Sequence, residues 1–171
     1  MAKVKGTKKL NKVIKKQLAP FGIKKVFMDT EWAYYFDEEK ISYAPIMIDD
    51  EQGKAFLNFI ERRFGYTTEM PFMLFLLHEV GHHIANDNIV DDIAEFCEAE
   101  KERIEKELQE TFREDEVMAL NDEYFNLPDE IMATQWAVTY MREHPRKVAK
   151  MWNEIADRMK KFYDKNEVET A

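Results

Sequence analysis

A single cysteine, Cys97, occurs in the 171 residues. No intrachain disulfide can therefore staple the chain, and a reducing compartment, the cytoplasm by default, is expected. Long apolar runs are also missing. The longest, Met70 to Leu77, is far too short to cross a bilayer. No apolar stretch of about 7–15 residues follows the N-terminal lysines, so neither a secretory leader nor a membrane partner is expected. Internal repeats and domain-splitting linkers are absent, and the length fits one domain with a sizeable core. Acid is absent from residues 1–25, which hold nine lysines and leave −18 for the remainder of a chain whose net charge is −9. An acidic body excludes a general nucleic-acid coat, so nucleic acid is not expected as a partner except through the basic arm.

That arm, residues 1–19, sets Lys8, Lys9, Lys12, Lys15 and Lys16 opposite Leu10, Val13, Ile14 and Leu18. The pattern predicts a helix over Thr7–Ala19 with a solvated face, ended by Pro20 and Gly22. Three strands are predicted next, Ile23–Met28, Glu31–Phe36 and Ile41–Ile48, with Asp37–Lys40 as a hairpin turn. Pro45 cannot donate to a ladder, which predicts that the third strand is an edge or carries a bulge. An edge beside an active site could pair with an extended peptide. Helices are predicted over Asp50–Phe64, with Phe56, Leu57 and Ile60 inward, and from a Thr67 or Thr68 cap with Pro71 in the first turn to about Asn86.

Val90, Ala94, Cys97, Ile104 and Leu108 give the inner stripe of a further helix, running to about Phe112. Its setting is dense in charge, with fifteen acids and four bases between Asp87 and Glu123, which reads as a solvated face. Cys97 is expected to serve packing. Asn121–Leu127 is predicted as a loop, followed by helices over Asp129–Glu143 and Pro145–Asp164. The polar tail over residues 165–171 is expected to fray.

Within the Pro71 helix stands His78-Glu79-Val80-Gly81-His82, an H-E-x-x-H sequence. Four helical residues advance about 400°, so the two imidazoles share a face one turn apart and can hold one metal ion. Glu79, beside the first ligand, is placed to act as general base. Gly81 costs helix stability, and close approach by another backbone would explain it. A chance match has a probability of roughly one in a hundred, so the motif needs a third ligand to carry weight. Cys97 sits in another helix's stripe. His83 is rotated about 100° from His82 and reads as a surface or supporting histidine. Glu130 is the better candidate. Alone it reads as a carboxylate favoured in a helix's first turn. It shares a face with Ala133, Thr134 and Ala137, however, whose small side chains would let this helix lie close to the metal helix.

The sequence His78–His82 followed by Glu130-Ile131-Met132-Ala133-Thr134-Gln135-Trp136-Ala137 resembles the gluzincin arrangement, in particular the small ImmA/IrrE-type metallopeptidases of bacteria, phages and mobile elements. The resemblance covers roughly residues 20–145, with its specificity in the two motifs. It implies an α+β fold, a mostly helical minimal zincin-like domain with a small three-stranded antiparallel sheet and the H-E-x-x-H helix. It also implies one Zn2+ held by His78, His82 and Glu130, with Glu79 as general base, and proteolysis of a regulatory protein, often a repressor. The family commonly has Asp or Asn four residues after the ligand Glu; here Thr134 offers a hydroxyl, which can make a weaker bond to a ligand histidine. The 47 residues between His82 and Glu130 are a long spacing, filled by an acidic helical insertion over residues 88–122. No helix-turn-helix module is present, so any regulatory DNA contact would need a separate protein. Two imidazoles and a carboxylate also suit other transition metals. The sequence alone does not rank Tyr34, Tyr35, Tyr43, Tyr66 and Tyr140 as donors to an oxyanion. His144, fourteen residues beyond Glu130, is a poor one. The competing reading is a non-catalytic protein-binding module that keeps the zincin-like fold.

Overall fold

Leu10, Ile14 and Leu18 recur every four residues, and all three are fully buried in helix α1 (Thr7–Leu18). The lysines between them face solvent, and the buried stripe lies against the first strand and the last helix. A computed structural model describes residues 7–170, with side chains to residue 166. The first six residues of the basic arm, including Lys3 and Lys5, lie outside the described residues, as does Ala171 of the tail. Pro20 falls in a 3-10 turn after α1, and Gly22 ends it at φ +91°, a left-handed conformation that favours glycine.

Strands β1 (Lys25–Met28), β2 (Ala33–Tyr35) and β3 (Lys40–Tyr43) form one sheet in the order β1-β3-β2. The sheet is mixed, which corrects the expected antiparallel one. β2 and β3 are an antiparallel hairpin, whereas β1 pairs parallel to β3 with Val26 opposite Ile41 and Met28 opposite Tyr43. Alternating residues give the same period in either direction, so pairing sense is not legible in the pattern. β3 is the centre of the sheet and not its edge. Ile41, Ser42 and Tyr43 are all buried, and the ladder stops before Pro45, which opens a 3-10 turn over Pro45–Ile48. The proline ends the strand, and β2 is an edge.

Helix α2 (Glu51–Phe64) starts where Asp50 accepts a hydrogen bond from the Gly53 N–H, and it ends at Gly65, φ +57°. It buries Phe56, Phe59 and Ile60, with Leu57 only partly covered. Helix α3 (Pro71–Ala85) is preceded by Thr68, whose hydroxyl accepts from the Met70 N–H, and it is buried continuously from Phe72 to Gly81. Helices α4 (Asp91–Glu110) and α5 (Glu114–Phe125) form a hairpin, and α6 (Pro128–Glu143) returns to lie along α3. The predicted loop at Asn121–Leu127 is helical as far as Phe125. Leu120 and Phe125 bury, and that packing outweighs the turn-forming character of Asn121 and Asp122. Helix α7 (Pro145–Thr170) carries the tail as helix to Thr170, beyond the expected fraying point.

The main core joins α1, the sheet, α2, α3, α6 and α7, with Phe125 reaching into it from the end of α5. A second cluster of Cys97, Ile104, Leu120 and Leu127 lies under the α4–α5 hairpin. Cys97 is buried, as a packing residue would be. The first turns of α4 depart from the expected stripe: Val90 and Ala94 are exposed, together with Ile93 and Phe96. Among the described residues no helix is long and apolar enough to cross a membrane.

Candidate metal centre

Gly81 explains how α3 and α6 meet. A Cβ there would lie 2.4 Å from the Ala133 carbonyl oxygen and 2.8 Å from its Cα, so only glycine admits this backbone approach. Ala133 and Ala137 are fully buried on the facing side of α6. The contact brings the first turn of α6 against the last turns of α3, and with it Glu130 against His78 and His82.

The three side chains converge. His78 Nε2 lies 3.1 Å from His82 Nε2 and 3.0 Å from Glu130 Oε2, and His82 Nε2 lies 3.4 Å from Glu130 Oε1. Tetrahedral coordination with bonds of about 2.0–2.1 Å separates its ligand atoms by about 3.3 Å, close to the distances from His78 Nε2 to His82 Nε2 and to Glu130 Oε2. Two ring nitrogens pointing their lone pairs at one another repel unless a proton or a metal ion lies between them, and the adjacent carboxylate favours positive charge of either kind. Burial pushes Glu130 up, but the facing imidazoles of His82 and His78 outweigh it and hold the carboxyl well below its ordinary range. The buried group His78, His82 and Glu130 can therefore hold a metal ion.

Supporting contacts fix the ligands. Thr134 Oγ1 sits 3.0 Å from His78 Nδ1, both groups buried. With Nε2 as the ligand atom, Nδ1 carries the proton and donates to the hydroxyl, which sets the tautomer and the ring plane. The Phe56 ring stands edge-on to His78 at 5.0 Å. His83 points elsewhere: its Nδ1 is 2.6 Å from the Tyr34 hydroxyl, and its ring fills the space beside Gly22.

Glu79 is buried beside the three ligands. Burial raises its carboxyl to about 7, with His78 pulling against that and Glu130 adding to it. It opens on a cleft of about 660 Å³, whose lining includes Trp32, Ala33 and Tyr34 around edge strand β2 and Lys101 and Tyr124 of the helical hairpin. Of the five tyrosines weighed in the sequence, only Tyr34 lines this cleft. Tyr43 donates to Asn11 Oδ1 inside the core, and Tyr140 packs against Trp136 and Phe21. His144 caps the far end of α6, against Tyr140.

Two residues of the cleft went unread in the sequence. Lys101 Nζ lies 2.5 Å from both Glu130 Oε1 and Asp129 Oδ2, and it sits over the Tyr124 ring at 5.4 Å. Burial draws this ammonium down, but Glu130, Tyr124 and Asp129 more than offset it and hold it above its ordinary range. Tyr124 is raised by its burial and by the Glu130 charge. A signal for Lys101 was present: it occupies the gap between Cys97 and Ile104 on the inner stripe of α4, where a solvated lysine has no reason to be. Tyr124 carried no such mark. The chain matches no protein-family model, no curated protein and no solved structure.

Proposed function

We propose that the chain is a zinc metallopeptidase of the gluzincin type, similar to the ImmA/IrrE-type enzymes, that hydrolyses a peptide bond in a protein substrate such as a regulatory protein. The observation that carries this reading is the convergence of His78, His82 and Glu130, which bring one ligand atom each within 4.8 Å of one another, with Glu79 beside them. A divalent ion held by those three would polarise the scissile carbonyl and acidify a water.

The chain's own groups then divide the remaining work. Glu79 takes a proton from the attacking water and returns it to the leaving amine, and the burial that raises its carboxyl suits it to hold that proton between the two steps. Thr134 keeps His78 presenting Nε2. The burial of Glu79 and Glu130 limits water around the reacting groups. Strand β2, unpaired on its outer side among the described residues, borders the cleft and offers backbone groups to an extended peptide.

The test is metal binding followed by turnover. One equivalent of Zn2+ should bind the wild-type chain, and His78→Ala, His82→Ala and Glu130→Ala should each weaken it. Glu79→Gln should keep the metal and lose roughly 10²–10⁴-fold in cleavage of a peptide library read by mass spectrometry. Full-strength binding in the Glu130 variant defeats the third ligand, and wild-type cleavage by the Glu79 variant defeats the base. A second reading, protein binding without turnover, draws support from the exposed Val90, Ile93 and Phe96 at the start of α4. It predicts a metal-loaded wild-type chain that cleaves nothing in the library.

A further inference from the structure

Hydrolysis as described makes no use of Lys101, yet its ammonium is brought from another helix onto a ligand carboxylate. We infer that Lys101 is a positioning residue that leaves Glu130 a single oxygen to offer the metal ion, an inference that rests on the metal reading above. The two carboxylate oxygens are shared out unequally. Oε2 lies 3.0 Å from His78 Nε2, whereas Oε1 receives the Lys101 ammonium at 2.5 Å. Oε1 is also only 3.4 Å from His82 Nε2, so without the ammonium both oxygens would stand within reach of one ion. Carboxylates bind metals through one oxygen or two, and a charge-assisted hydrogen bond on Oε1 competes directly with the second mode.

The lysine is held in place from three sides. Asp129 Oδ2 takes a second hydrogen bond from it, while Asp129 Oδ1 accepts from the Glu130 N–H and so fixes the carboxylate that holds the lysine. The Tyr124 ring covers the ammonium, and Cys97 and Ile104, one turn before and after, anchor α4 in the second cluster. This arrangement has a cost in affinity, because an ammonium a few ångströms from a dication repels it. Lys101 thus weakens metal binding and keeps the coordination number low, which leaves room for water beside Glu79.

Lys101→Met removes the charge and keeps an unbranched side chain. The full-length chain is loaded with Co2+, whose visible absorption is intense when four-coordinate and weak at higher coordination. Affinity is read by competition with a chelator. The Lys101→Met protein should bind Co2+ roughly tenfold more tightly or better, absorb more weakly per ion, and cleave peptides more slowly. Tighter binding with slower turnover is the signature; a lysine that merely stabilised the fold would lower both. Leu10→Ala, which loosens the main core at α1 and leaves Lys101 and the cluster that holds it intact, should keep the wild-type spectrum. The inference is overturned if Lys101→Met keeps the wild-type spectrum or binds no more tightly, or if Leu10→Ala reproduces its spectral change. A wild-type chain that takes up no Co2+ overturns the metal reading itself.

Discussion

The contact between α3 and α6 and the hairpin of α4 and α5 both face the cleft, but they are held together by different means. Along α3 and α6 the chain uses small residues: Gly81 meets the Ala133 backbone, and Ala137 is buried in the main core. The α4–α5 hairpin rests on a smaller cluster of four buried side chains, with Phe125 reaching into the main core and ion pairs such as Arg103 to Glu100 and Glu107 on its outer face. The three residues that could hold a metal ion all come from the first region, and Lys101 and Tyr124 come from the second. Groups that would need ångström spacing to share an ion therefore sit where backbone contact fixes them, while Lys101 and Tyr124 sit on a hairpin held by side-chain packing.

Gly81→Ala attacks the tight region and should have the largest effect. Its new methyl carbon meets backbone, which cannot turn aside as a side chain could, so α3 and α6 must part. A loss of about 3 kcal/mol in urea unfolding is expected, with metal binding lost as the ligands separate. An unchanged midpoint would mean that the helices adjust freely and that the contrast with the hairpin is false. Ile104→Ala attacks the loose region, where a fully buried side chain belongs to a small cluster. It should cost roughly 2 kcal/mol, and hydrogen exchange should speed up in α4 and α5 while α3 and α6 stay protected. Equal acceleration in all four helices would show one cooperative unit in place of two.

The same contrast governs what the sequence disclosed. His78, Glu79 and His82 lie within one helical turn, so their shared face follows from helix geometry alone. Glu130 was legible as a helix-start carboxylate with small residues on its face, and Gly81 marked a close approach whose partner proved to be Ala133. The strands were visible as a period of two, but β1 pairs parallel to β3, and neither direction nor order leaves a trace in alternation. Pro45 predicts an edge or a bulge but marks an end, since a missing N–H is equally satisfied by stopping the ladder. The acid-rich stretch concealed the most. Lys101 is one of four bases among fifteen acids between Asp87 and Glu123, and its role depends on Asp129 and Glu130, which reach it only through the tertiary fold.

Thr134→Val sharpens the comparison within the tight region, because it removes one hydroxyl and leaves the packed shape nearly intact. His78 Nδ1 then loses its partner, and the ring is free to change tautomer or tilt. Zinc affinity should fall by about 10–100-fold, and stability should fall less than in Gly81→Ala. Thr134→Ser retains the oxygen and should restore most of the affinity. Wild-type affinity in the valine variant would show that packing alone, through Phe56 and the α3–α6 contact, orients the imidazole.

Arg62→Ala is expected to do least. Arg62 donates to both carboxylate oxygens of Asp122, at 3.1 and 2.7 Å, and so ties α2 to α5 across the surface. Burial of Leu120 and Phe125 holds the same helix from beneath. Exposed ion pairs are screened by salt and oppose the entropy of two long side chains, so they add little to a contact that burial already secures. No measurable shift in the urea midpoint is expected, and zinc affinity should be unchanged. A shift approaching that of Ile104→Ala would mean that surface charge, and not the four-residue cluster, fastens the hairpin. The position of Lys101 over Glu130 would then be set by ionic strength, and affinity measured in low and high salt would differ.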